Sequence, residues 1–144
     1  MTNKQEKMIC NSFGISKLKA FQKDVITDLL NGKDVLGLAR TSEGKSICFL
    51  SMIVMHPNDL LIGILPTVAL MRDLMQRCED SKIRAGCLYS GNAKNTNIIE
   101  RLKYGKLQAL FVAPERLNDP HLGKAIQRNK VHTVVVDEVH CLSE

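Results

Sequence analysis

At 144 residues, 44% of them hydrophobic and 24% charged, the chain has the composition of a globular protein and the length of one domain with a sizeable core. Twenty Lys+Arg against fifteen Asp+Glu leave a net charge of +5, which permits a polyanionic partner without demanding one. Five scattered cysteines with no C-x-x-C pair argue against a disulfide framework or zinc site; a polar start, "MTNKQEKMIC", and apolar runs shorter than the roughly 20 residues of a membrane span argue against secretion and a membrane partner.

The polar segment 1–12 is assigned no element. "LKAFQKDVITDLL" then places Leu18, Phe21, Val25, Ile26, Leu29 and Leu30 on one helical stripe, which the turn-formers of "NGKD" end. "VLGLA" reads as a short buried strand running into "ARTSEGKS", and "SICFLSMIVM", apolar all round, as a buried helix. The same beat repeats. "LLIGIL" is a strand and "TVALMRDLMQRC" an amphipathic helix; "AGCLYS" is a strand and "NIIERLKYG" a helix closed by Gly105. "LQALFVA" is a further strand, "HLGKAIQRN" a further helix, and "HTVVVDEVH" runs from an apolar strand into acid. Near-continuous apolar strands separated by helices predict an α/β fold, a parallel sheet with helices on both faces. Ligands in such sheets sit at the carboxyl ends of the strands, where "ARTSEGKS" and "DEVH" lie.

"ARTSEGKS" is an altered phosphate loop. The pattern G-x-x-x-x-G-K-[ST] keeps its closing Gly44, Lys45 and Ser46, but begins with Ala39 and carries Thr41, Ser42 and Glu43 in the middle. It follows an apolar strand and opens a helix, whose N-terminal N–H groups suit a phosphate. In that role Lys45 reaches the β- and γ-phosphates and Ser46 holds Mg²⁺ through its hydroxyl. The bland alternative is a strand–turn–helix with an exposed lysine. Asp137 and Glu138 follow "VVV" directly; one carboxylate can hold Mg²⁺ and its neighbour can accept a proton from an attacking water. Surface acids at a strand end are the bland alternative here.

"DEVHCLSE" resembles the DExH box of superfamily 2 helicases, and "DEVHC" is similar to the "DEAHC" of the RecQ family. "FGISKLKAFQKDVITDLLNGKDVL" resembles the RecQ motif that precedes the phosphate loop, "LPTVALMRDLM" its "SPLxSLMxDQ", and "LFVAPERL" its "LYxxPERL". The resemblance runs from about Phe13 to Ser143 and implies a RecA-like fold, a three-layer P-loop NTPase domain (13–34 adenine recognition, 35–144 phosphate loop to DExH core), incomplete at its C-terminus. It implies ATP and Mg²⁺ as cofactors and single-stranded or branched DNA as partner, with 3′–5′ helicase activity in recombination and repair. The location implied is intracellular, nuclear in a eukaryote and cytoplasmic or nucleoid in a bacterium. Residue by residue, Gln22 contacts the adenine edge and Lys19 packs against the base; Thr41, Ser42, Glu43, Gly44, Lys45 and Ser46 form the nucleotide loop. Asp137 binds Mg²⁺ with Ser46, Glu138 positions water, His140 relays nucleotide state, and Pro66 and Thr67 touch the single strand.

Departures from the family pattern are Ile15 where an aromatic stacks on adenine, Arg40 for a proline, and Ser42 and Glu43 within the loop. Glu43 resembles the "TGEGKT" of SecA translocases; a serine at Ser42 in a glycine-only conformation costs about 1–3 kcal/mol. A second RecA-like domain with arginine fingers, worth ~10³–10⁵ in rate, belongs to the family pattern, so the chain alone is expected to be nearly inert as an ATPase. The strand after the DExH motif inserts between "VLGLA" and "TVVVD" in such motors, so these two are expected to pair directly or to self-associate. A nucleotide- or DNA-binding module without turnover and another superfamily 2 translocase are the rival readings. His56, His121 and His132 read as solvated, Met52, Met55, Met71 and Met75 as core, and Arg72 and Arg77 as a solvated helix face.

Overall fold

The polar start of the chain folds as a helix. In a computed structural model, which describes residues 1–32 and 44–136, the Thr2 hydroxyl accepts the Gln5 N–H at 3.1 Å and the Gln5 side chain accepts the Thr2 N–H at 2.9 Å. This reciprocal box opens α1 (Asn3–Phe13), and Gly14 closes it at φ 66°, a conformation that favours glycine. The signal T-x-x-Q was present in the sequence but was masked by the polar residues around it. Only Ile9 and Cys10 of α1 are buried.

The chain divides into two units, Met1–Pro57 and Asn58–Glu144. In the first, α1 is followed by α2 (Ala20–Leu30) and α3 (Lys45–Met55), near the bounds read from the apolar stripe and the apolar run. Ile9, Cys10, Leu18, Ile26, Ile47 and Cys48 form its core, with Phe13, Ile15 and Phe21 packed against them. Helix α3 is buried without interruption from Ser46 to Ile53.

The second unit follows the expected alternation: β1 (Leu60–Ile64), α4 (Val68–Asp80), β2 (Ala85–Leu88), α5 (Asn95–Lys103), β3 (Ala109–Val112), a 3₁₀ turn (Pro114–Asn118), α6 (Pro120–Gln127) and β4 (Val131–Val136). The strands form one sheet in the order β2-β3-β1-β4, with every pair parallel. Leu60, Ile62, Leu88, Leu110 and Val112 pack on one sheet face against Ile98 and Leu102 of α5 and Leu122 and Ala125 of α6. On the other face Cys87 meets α4, its thiol donating to the Met71 carbonyl at 3.7 Å. Strands β1 to β3 are buried on both faces almost throughout, as their unbroken apolar sequences require. This is a RecA-like α/β fold with helices on both sides of a parallel sheet.

Gly63 in β1 has a packing reason. A Cβ there would lie 2.9 Å from Cδ1 of Phe111, the neighbouring residue of β3 in register. Strand β4 differs from the others: Val134 and Val136 are 57% and 48% exposed. His132, read as solvated, is instead half-buried in β4, with Nδ1 2.7 Å from the Thr133 hydroxyl. The expected strand "VLGLA", Arg40, Thr41, Ser42 and Glu43, and Asp137, Glu138 and His140 lie outside the described residues, as does the proposed pairing of "VLGLA" with "TVVVD".

Candidate nucleotide site

Gly44 sits at φ 77°, the left-handed conformation that turns the chain into α3. It has no side chain to cap the helix, so among the described residues the first N–H groups of α3 lack the side-chain acceptor that Thr2 supplies to α1. An uncapped N-terminus of this kind is suited to an anion.

Two described side chains hold the Gly44 carbonyl. The Gln22 side-chain amide donates to it at 3.0 Å, and the Cys48 thiol, one helical turn on, donates at 3.6 Å. Burial pushes the Cys48 thiol up to about 11, so it remains a protonated donor at neutral pH. Gln22 is 3% exposed, and its oxygen accepts the Lys19 N–H at 2.8 Å. One buried amide therefore ties the entry of α2 to the turn that opens α3. The fit is close: a Cβ on residue 44 would stand 2.5 Å from the Gln22 nitrogen. Sequence reading placed Gln22 against an adenine and did not find its bond to the loop, nor Cys48, whose spacing of four from Gly44 was the available signal.

Ser46 stands in the first turn of α3. It is 9% exposed, and its buried hydroxyl oxygen has no hydrogen-bond partner among the described residues. An orphaned buried hydroxyl is uncommon and points to a group that completes it. A hydroxyl oxygen in the position of the phosphate-loop serine fits a hard cation such as Mg²⁺. Lys45, beside it, is half-exposed.

The other expected contacts are placed separately. Lys19 is exposed at the start of α2. Ile15 is half-buried against the core of the first unit, a packing role rather than an open stacking platform. In the second unit, Thr67 caps α4 by accepting the Leu70 N–H at 3.2 Å, with Pro66 half-buried before it. Val136, the last described residue of β4, directly precedes Asp137.

The DEAD/DEAH box helicase family model matches residues 19–144. The chain belongs to that family. Among curated proteins this helicase domain is 34% identical to "ATP-dependent DNA helicase Q-like SIM" of Arabidopsis thaliana, over 93% of this chain and 16% of that protein. It is 30% identical to "ATP-dependent DNA helicase RecQ" of Haemophilus influenzae, over 92% of this chain and 22% of that protein. The domain thus spans about a sixth to a fifth of the length of these two relatives. Among solved structures it is similar to the helicase MrfA, crystallised with DNA and AMPPNP, at a TM-score of 0.73 and 21% identity, over 98% of this chain and 22% of that one. At that identity the likeness concerns the fold.

Proposed function

We propose that this domain binds ATP with Mg²⁺ as part of a RecQ-type 3′–5′ DNA helicase that acts in recombination and repair inside the cell. The observation that carries the reading is the buried Ser46 hydroxyl, without a partner among the described residues, one residue after Lys45 and two after the glycine turn. In this reading Lys45 and the free N–H groups of α3 take the phosphates, and Ser46 with Asp137 holds Mg²⁺. Bound Mg²⁺ supplies charge neutralisation to the transferring phosphoryl group. Gln22 has one N–H and one lone pair beyond those already used, and these complement the donor and acceptor on the adenine edge. Lys19 packs against the base, Thr41, Ser42 and Glu43 complete the loop, and Glu138 and His140 serve hydrolysis and its relay. Pro66 and Thr67, at the N-terminus of α4, touch the phosphates of a single strand. The relatives named above are DNA helicases by name, and the similar structure holds DNA and a nucleotide. A second motor half supplies the rest of the cleft, so turnover by this chain alone is low.

Titration with a fluorescent ATP analogue tests the reading. Binding is expected to depend on Mg²⁺ and to weaken at least tenfold in Lys45→Ala, since a charge-assisted phosphate contact contributes about 1.5–3 kcal/mol. Equal binding by both proteins, with or without Mg²⁺, removes the site.

A further inference from the structure

Helices α4 and α5 end alike, just before the amino ends of β2 and β3. In each turn an N–H reaches back five residues, from Ile83 to the Cys78 carbonyl at 2.8 Å and from Lys106 to the Arg101 carbonyl at 3.0 Å. A helix end of this kind needs one left-handed residue, for which glycine is the usual choice. Gly105 fills that place after α5 at φ 68°. After α4 it is filled by Lys82 at φ 59°, the only described residue other than glycine with a positive φ. A lysine is held there against its conformational preference, and such an outlier marks a place to look for function.

Hydrogen bonds join the two turns into one surface. The Arg84 N–H donates to Oε1 of Gln108 at 3.0 Å, the Gln108 N–H to the Arg84 carbonyl at 2.7 Å, and Nε of Arg84 to the Lys106 carbonyl at 3.1 Å. One edge of the guanidinium is thereby fixed, and its terminal nitrogens stay uncommitted among the described residues. Lys82, Arg84, Lys103 and Lys106 are all exposed. Glu79, Asp80 and Glu100 are near them in sequence, yet none of the four cations forms an ion pair among the described residues. Tyr104 stands in the same turn as Lys103 and Lys106. Its ring has the Lys103 ammonium 5.7 Å from its centre, and the residue is still 60% exposed.

We propose that this surface binds single-stranded nucleic acid, with a base stacked on Tyr104 and the flanking phosphates on Lys82, Arg84, Lys103 and Lys106. The ring chooses the occupant. A ligand that uses both the ring and the cations must carry flat faces and negative charges in alternation, as an unpaired strand does. An acidic peptide engages the cations and leaves the ring in water. A lipid surface needs more apolar area than one tyrosine, and Tyr104 is the only large exposed hydrophobic side chain of these two turns. A duplex keeps its base faces inside the stack. The four described strands are parallel, and Pro66 and Thr67 follow the carboxyl end of β1, so this surface lies at the opposite end of the sheet from them. It is a second contact for a strand, and it does not depend on the nucleotide site.

The test uses the whole chain without nucleotide, a fluorescein-labelled oligothymidylate, a labelled oligoglutamate of the same length, and the oligothymidylate carrying 5-iodouracil for photocrosslinking. Tyr104→Ala is expected to raise the Kd for the oligothymidylate roughly fivefold or more, the loss of one stacked base, and Tyr104→Phe to stay near wild type. Lys82→Gln/Lys106→Gln is expected to flatten the slope of log Kd against log salt by about 1.4, two phosphate contacts at roughly 0.7 each. The crosslink is expected at Tyr104. Equal affinity in wild type and Tyr104→Ala, an unchanged salt slope in the double variant, oligoglutamate binding as tightly as the oligothymidylate, or crosslinks confined to the segment around Thr67 each overturn the proposal. The substituted positions are exposed, and circular dichroism of each variant separates lost binding from lost fold. ATP is absent from every arm and Lys45 is untouched, so failure here leaves the nucleotide reading standing.

Discussion

Between Met1 and Pro57 the interior holds Gln22, Ser46 and Ser51 beside its apolar residues, whereas every buried side chain described between Asn58 and Val136 is apolar. Ser51 is satisfied locally through the Ile47 carbonyl and Gln22 through Lys19 and Gly44; Ser46 has no partner among the described residues. An apolar sheet core gains from burying every atom it contains, but a buried polar group returns that gain only if it is paired. The helical unit therefore accepts a cost at Ser46 that no buried residue described in the sheet unit bears, and the sheet unit's interior is cohesive throughout. Substitutions in the two regions should separate stability from ligand affinity.

The largest effect belongs to the sheet. Phe111 is fully buried in β3 and lies over Gly63 of β1. Phe111→Ala is expected to cost about 3–5 kcal/mol in chemical denaturation, while the fraction still folded binds nucleotide normally. A loss below about 1 kcal/mol would mean the sheet core is not the cohesive element.

Gln22→Ala should cost less stability and more affinity. It removes two hydrogen bonds from a residue that is 3% exposed and leaves the Gly44 carbonyl to Cys48 alone, a destabilisation of about 1–3 kcal/mol. Nucleotide binding should weaken as well, because the turn into α3 loses its tie to α2. Gln22→Glu keeps the acceptor for Lys19 but sets a carboxylate oxygen against the Gly44 carbonyl, and should be the worse variant. If either binds nucleotide like wild type while stability drops, Gln22 is a structural residue only.

That division also explains what could be read from the sequence. Strands β1 to β3 were legible because burial on both faces demands unbroken apolar runs, and "LLIGI", "AGCL" and "ALFV" have no other use. Helix α1 was not, because Ile9 and Cys10 are its only fully buried residues, joined by the half-buried Phe13, and its sequence is otherwise mostly polar. At the site, Gly44, Lys45 and Ser46 showed in the sequence as the end of a loop-like pattern, and the helix expected after them is α3. The inward pose of Gln22 was not, since a glutamine shows no periodicity and one of its two backbone partners, the Gly44 carbonyl, is reached across 22 residues.

The buried thiols sharpen the comparison in the sheet unit. Burial pushes Cys78 and Cys87 up to about 12 from an ordinary 9.0, with each other's proximity adding to the rise at Cys78. Because the folded state holds these protons more tightly, the stabilisation is complete below pH 9 and is lost as pH rises from about 9 towards 12. At pH 10 the linkage amounts to about 1 kcal/mol per thiol. Thermal melting should therefore fall more steeply above pH 9 in wild type than in Cys78→Ala/Cys87→Ala. Parallel pH profiles would place these thiols in contact with water.

The smallest effect on stability is the most informative, because its sign separates an unpaired from a paired hydroxyl in one helix. Ser46→Ala removes a hydroxyl whose oxygen is buried and has no partner among the described residues, so no hydrogen bond to them is lost. Relief of that desolvation offsets the lost polar group, and the melting temperature should stay level or rise, by no more than about 1 kcal/mol in equivalent free energy. A Ser51→Ala control in the same helix removes a hydroxyl that is paired with Ile47 and should lower stability instead. Mg²⁺-dependent nucleotide binding should fall in Ser46→Ala and not in Ser51→Ala. If Ser46→Ala destabilises like Ser51→Ala and leaves the Mg²⁺ dependence intact, the hydroxyl is an ordinary part of the helix and the cation belongs elsewhere.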